Sequence, residues 1–175
     1  DNSNRFAEIG NGGLVIVSDT SIRLLSADGS ELWSANIQMS APALTSGGGR
    51  VVAYDVGGTE LFVLDGNGVL LDQTTEDPIV AANLNGSGML ALTTEASGTK
   101  GHVEVYSAAL QKLFDFNAHR RFVADACVTE DGKYLAAVTM GQADSVFVSN
   151  VVIYDLTQED PIAEYSVQDG LVAAM

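Results

Sequence analysis

The chain predicts an all-β fold made of one repeated unit, and three observations carry that prediction. First, apolar runs of four to eight residues, rich in Val, Ile, Leu, Tyr and Phe, are bounded by Gly, Asp, Asn and Ser, which is the pattern of strands and not of amphipathic helices. Second, four such runs open at Gly13, Gly49, Gly88 and Gly132, with spacings of 36, 39 and 44 residues. A period near 40 residues lies in the range of propeller blades. Third, each unit resolves into four apolar segments. The expected fold is therefore a β-propeller of four-stranded antiparallel blades, either closed from four units or part of a larger ring. The units run over 13–37, 41–74, 79–116 and 122–167, with an extra strand at 171–175.

Lettering the strands of a unit A to D in chain order, the A strands are 41–45, 79–84 and 122–128. Small residues dominate them, as expected where strands crowd around a narrow channel. Pro42 and Pro78 stand at strand starts, where a missing N–H costs little. Gly-rich turns lead to B: Ser46-Gly47-Gly48-Gly49, Asn85-Gly86-Ser87-Gly88 and Glu130-Asp131-Gly132. Strand C carries residues 22–25, 61–64, 103–106 and 151–154. Strand D carries Leu32-Trp33, Leu70-Leu71, Leu113-Phe114 and Ile162-Ala163. The helical competitor, 108–114, falls where the other units turn, so the repeat register assigns it to a hairpin.

The first unit has only the weak stretch 5–9 as its A strand, while 171–175 starts a new one. Either 171–175 closes a four-bladed ring beside the first unit, or the chain is a piece of a larger propeller. In the second case its open blade edges would pair two copies into a homodimer.

At 175 residues and 46% hydrophobic, the chain is long and apolar enough to bury a sizeable core. Twenty-three acidic against eight basic residues give a net charge of −15, which repels phosphate backbones and anionic membrane surfaces. Nucleic acid is not an expected partner. No apolar stretch approaches the roughly 20 residues needed to cross a bilayer as a helix. The opening Asp1-Asn2-Ser3-Asn4 lacks an initiator methionine, so a membrane anchor upstream is compatible with the chain. The single Cys127 makes no internal disulfide and is expected as a buried small hydrophobe.

The stretch from Val123 to Ala136, with its Asp131-Gly132-Lys133 turn between two strands, resembles the blades of WD40-like propellers, as does Ile153-Tyr154-Asp155 at the end of a C strand. Ser26-Ala27-Asp28-Gly29-Ser30-Glu31-Leu32-Trp33 is similar to a quinoprotein repeat hairpin ending in a docking tryptophan, although Trp33 is the only Trp. The run 52–63 also resembles an uncharacterised, membrane-anchored propeller family of Gram-positive anaerobes. This resemblance implies a propeller on the outer side of a cell envelope and supplies no reaction.

Propeller topology puts the D–A and B–C connections on one face, and long loops on a rigid scaffold are where binding resides. The candidate binding residues are therefore His119, Arg120, Arg121, Glu76, Asp77 and Asp144, with the longest B–C loops expected at 95–102 and 141–150. His119-Arg120-Arg121 is the one dense cationic cluster and suits a carboxylate or phosphate, against the plainer reading of surface ion pairs. The only histidines, His102 and His119, fall in different connections, which argues against a His-rich metal site. Asp65-Gly66-Asn67-Gly68 is faintly like a calcium loop and is better explained as a hairpin turn. Ser46-Gly47-Gly48-Gly49-Arg50 lacks the Lys and Ser/Thr of a phosphate loop, and no nucleophile elbow or paired catalytic groups are evident. No cofactor, metal or catalytic residue is expected.

The expected function is that of a non-enzymatic binding or scaffolding module for a protein or envelope component. The alternative is an envelope hydrolase or quinoprotein-type enzyme with its site in the propeller channel.

Overall fold

The computed structural model describes residues 4–167. They form sixteen strands in four antiparallel four-stranded sheets, each a meander of consecutive strands. The chain divides between Ile79 and Val80 into two compact units of two sheets each.

In the first unit, β1 (Arg5–Ile9), β2 (Gly13–Val17), β3 (Ser21–Leu25) and β4 (Glu31–Asn36) make one sheet. The other contains β5 (Pro42–Gly47), β6 (Arg50–Asp55), β7 (Glu60–Asp65) and β8 (Gly68–Thr74). The stretch 5–9 is thus a full strand, held to β2 from Arg5↔Val17 to Ile9↔Gly13. Val15 and Val17 of β2 and Ile22 and Leu24 of β3 are buried by their alternation and meet Val51, Ala53, Phe62 and Leu64 of the second sheet in one core. Each such side chain contributes about 1.5–3 kcal/mol by leaving water. Trp33 packs on this core with its ring 6.2 Å from that of Phe62, which makes it a blade-packing residue.

In the second unit, β9 (Ile79–Leu84), β10 (Leu90–Thr94), β11 (His102–Tyr106) and β12 (Lys112–Asn117) make one sheet. The other contains β13 (Phe122–Val128), β14 (Tyr134–Ala143), β15 (Val146–Asp155) and β16 (Pro161–Val167). Equivalent positions of the two sheets touch. The Asn83 amide donates to Asp125 Oδ1 (2.5 Å) and to the Ala126 carbonyl (2.9 Å), Asn85 Nδ2 donates to the Thr129 carbonyl, and Gly86 N donates to Glu130 Oε2 (3.0 Å). These partners are separated by 42 to 44 residues, the repeat length itself. A side chain at Gly86 would meet Glu130 Oε2 and displace the carboxylate that accepts from Gly86 N.

The stretch 108–114 is a turn followed by strand, as the register required. Ser107 N donates to the Gln111 carbonyl and Leu110 N to the Ser107 carbonyl, both at 2.8 Å. Asp65 Oδ1 accepts from Asn67 N (2.8 Å) and Gly68 N (3.1 Å), so the calcium-like sequence is a hairpin whose carboxylate is occupied by its own backbone. The expectation for 141–150 needs correction. Residues 141–143 pair with 146–148 as a continuation of β14 and β15, leaving only Asp144 and Ser145 as a turn. Both have positive φ, 49° and 67°, as a two-residue hairpin turn requires. Gly141 and the polar run after it hid a strand that Val146, Phe147 and Val148 favour. The segment 171–175 lies outside the described residues.

Every C–D pair carries a register shift near its turn, at Leu24/Leu25, Val63/Leu64, Val105/Tyr106 and Ile153/Tyr154. Such bulges increase the local twist of the outer strands. Across the D strands, Trp33, Leu71, Phe114 and Ala163 are half-buried, while their neighbours Leu32, Leu70, Leu113 and Ile162 are exposed.

Candidate binding site in the second unit

The connection between β12 and β13, residues 118–121, is short because it is fixed at both ends. Ala118 N donates to the Gly101 carbonyl (2.8 Å), Lys100 N to the Ala118 carbonyl (2.7 Å) and Val123 N to the Lys100 carbonyl (3.0 Å). The D–A and B–C connections are thereby stitched together on one face. His119 and Arg120 are exposed on this face, and Arg121 is half-buried. The stem of Arg121 runs over Gly141, where an added Cβ would lie 3.1 Å from its Cγ and 3.5 Å from its Nε. Gly141 therefore clears the path of the arginine.

Beneath Arg121 a cavity of 570 Å³ opens between the two sheets, lined among others by Phe116, His119, Arg121, Thr139, Tyr154 and Glu164. Phe116 and Tyr154 stack at 4.2 Å and 21°, giving it an apolar side. The polar side is unusual. Arg121 Nη1 and Thr139 Oγ1 are sheltered from solvent and have no hydrogen-bond partner among the described residues. Thr139 is 7% exposed. Its cross-strand neighbour Asn150 is 2% exposed, donates to Glu164 Oε1 at 2.5 Å and keeps its Oδ1 unpartnered. Native proteins pair nearly all buried polar atoms, so two orphans lining one cavity, with a third buried across the strand pair from Thr139, mark a place built for something polar.

A second cavity, 540 Å³, lies under the B–C connection 95–101 and is lined by Val80, Phe122, Val123 and Met140 among others. Lys100 Nζ sits 4.2 Å over the Phe122 ring there, so its charge already has a partner.

Of the residues expected to bind, His119, Arg120 and Arg121 share the connection above the larger cavity, and all three line it. Asp144 is placed at the tip of the β14–β15 ribbon, exposed, where its backbone conformation explains its presence. Glu76 and Asp77 belong to the first unit, in the connection from β8 to β9, where Thr75 Oγ1 donates to the Asp77 carbonyl at 2.8 Å. His102 is not in a loop but opens β11. Its Nδ1 pairs with Asn117 Oδ1 (2.8 Å), and its Nε2 lies 3.7 Å from Glu104 Oε1 and 3.6 Å from Asp115 Oδ2. Among the described residues, no group of three or more His, Cys, Asp or Glu side chains is placed to hold a metal. Cys127 is half-buried rather than buried, and desolvation, then Asp125 and Glu130, push its thiol pKa up and away from a reactive thiolate. Thr139 and Asn150 were missed by sequence reasoning, since each is an ordinary polar residue inside an apolar strand. Their only signal was a polar residue at an inward position of β14 and β15.

The family model described as "Family of unknown function (DUF5711)" matches residues 1–173. The chain belongs to that family. No curated protein matches the DUF5711 chain in sequence. Among solved structures it is similar to Kluyveromyces lactis Hsv2 with loop 6CD replaced by a Gly-Ser linker, at a TM-score of 0.67 and 15% identity over 97% of this chain and 56% of that one. The dihydro-heme d1 dehydrogenase NirN in complex with DHE gives 0.64 and 13% over 94% and 38%. The WD40 domain of Neurospora crassa Pan2 gives 0.54 and 19% over 91% and 50%. The chain thus spans about half the length of these solved structures or less. At these identities the likeness shows the fold alone, and the fold is a β-propeller of four-stranded antiparallel blades, as the WD40-like resemblance implied. Among the described residues no helix is long and apolar enough to cross a membrane.

Proposed function

We propose that this DUF5711 chain is a non-enzymatic binding and scaffolding module, acting at the outer side of a cell envelope, whose second unit captures an acidic group of a protein partner through the connection 119–121. The observation that carries the reading is the sheltered guanidinium nitrogen of Arg121, without a partner among the described residues, at the mouth of a 570 Å³ cavity. A guanidinium stays charged and presents a planar fork suited to an oxyanion, and holding it away from solvent without a partner costs free energy that an arriving anion recovers. His119 and Arg120, exposed on the same connection, add attraction at the rim in a chain that is otherwise strongly acidic. The test is capture from envelope extract by the immobilised chain, beside the Arg120→Ala, Arg121→Ala double variant. A partner retained by the native chain and lost by the double variant supports the reading. Equal retention removes the cationic connection from the function.

A further inference from the structure

The polar and apolar sides of the larger cavity together specify more than an anion. Its volume, 570 Å³, falls within the roughly 300–1,000 Å³ typical of small-ligand sites. The polar lining offers the Arg121 N–H and the Thr139 hydroxyl, both without a partner among the described residues, and both fit the oxygens of an anion. The opposite character comes from Phe116, Val152 and the Tyr154 ring, which line the same space. Glu164 and Asp160 also face it. Two carboxylates on the wall oppose a dianion more strongly than a monoanion, which selects against phosphate groups.

We propose that this cavity is a carboxylate-binding site, taking a single carboxylate carried on an apolar, ring-sized body. The proposal rests on the binding reading above and names its chemical group. The carboxylate belongs either to a free organic acid or to an acidic side chain of a peptide, and both present the same atoms to Arg121 and Thr139.

The experiment titrates the intact chain with 3-phenylpropionate, with an end-blocked pentapeptide carrying one Glu between two Phe residues, with 3-phenylpropionamide and with inorganic phosphate. Calorimetry gives affinity, and amide and Arg Nε resonances give the location. The expected result is saturable one-to-one binding of an acid probe, with shifts centred on Arg121, Thr139 and Asn150. Arg121→Gln should weaken it about tenfold or more, and Thr139→Val about fivefold. Tighter binding of phenylpropionate identifies a free acid as the source, and tighter binding of the peptide identifies a protein side chain. The proposal is overturned by no saturation up to about 10 mM, by equal affinity for the amide, by tighter binding of phosphate, or by an unchanged affinity in both variants. If the acid probes fail while partner capture still depends on Arg120 and Arg121, this proposal falls and the broader reading stands.

Discussion

The same connection, from the last strand of one sheet to the first strand of the next, is built in two opposite ways in the two units. In the first unit, residues 75–78 close on themselves. Thr75 N donates to the Thr59 carbonyl (2.8 Å), Thr75 Oγ1 lies 2.8 Å from the Asp77 carbonyl, and Ile79 N donates to the Gly58 carbonyl (2.7 Å). Nearby, the buried Asp55 accepts from Ala41 N at 2.6 Å and anchors the entry to β5. In the second unit, residues 118–121 satisfy their backbone equally well, yet leave a guanidinium nitrogen without a partner among the described residues. The difference separates scaffold from site. Where backbone groups and a hydroxyl are bonded locally the connection holds strands, and where a guanidinium nitrogen is sheltered without a partner among the described residues the connection is prepared for a ligand.

That contrast predicts that stability and binding respond to different substitutions. The largest effect is expected at Asp55→Ala, which removes the buried carboxylate that accepts from Ala41 N and should lower unfolding free energy by about 2 kcal/mol in urea titration, with acid binding in the second unit unchanged. A loss below about 0.5 kcal/mol would show that the first unit does not depend on this anchor. Thr75→Val removes one hydroxyl donor from the self-closed connection and should cost about 1 kcal/mol. Arg121→Ala should behave in the opposite sense. Removing a guanidinium whose sheltered Nη1 has no partner among the described residues should leave the unfolding free energy within about 0.5 kcal/mol of native or raise it. A large destabilisation at Arg121 would make it a structural residue and erase the distinction.

The smallest effect concerns the turns that the two units share. Asp28 accepts from the Ser26 hydroxyl and from Ser30 N, which lowers its pKa from 3.8 to about 2. Asp131 is likewise lowered, first by the Thr129 hydroxyl and then by Lys133 N. A depressed folded-state pKa means that the turn favours the carboxylate, so its contribution is complete above the unfolded value and fades as pH falls towards the folded one. Carbon-detected titration should place the Asp28 midpoint near 2. Ser26→Ala should move it back up towards 3.8, and a midpoint that ignores Ser26 would show that this hydroxyl does not hold the carboxylate.

Much of this architecture was legible along the chain. Alternating apolar residues, such as Val15 and Val17 in β2, and turn residues, such as Asn85 and Gly86, act on their immediate neighbours. Their pattern therefore survives in one dimension, and the weak stretch 5–9 proved a strand because its sheet partner supplies what its own sequence lacks. Gly141 misled in the other direction. It looked like a loop residue, whereas it is the bare spot in a long ribbon that Arg121 crosses.

By itself the sequence determined the all-β class, the four-strand repeat and the turn chemistry, since each follows from interactions within a few residues. It also singled out 119–121 as the cationic cluster, from composition alone. Only the tertiary structure decided that Arg121, rather than its two neighbours, is sheltered, and that Thr139 lines the same cavity with Asn150 buried across the strand pair from it. Those facts depend on strands brought together from distant parts of the chain. Whether a polar atom is satisfied is a property of everything packed around it.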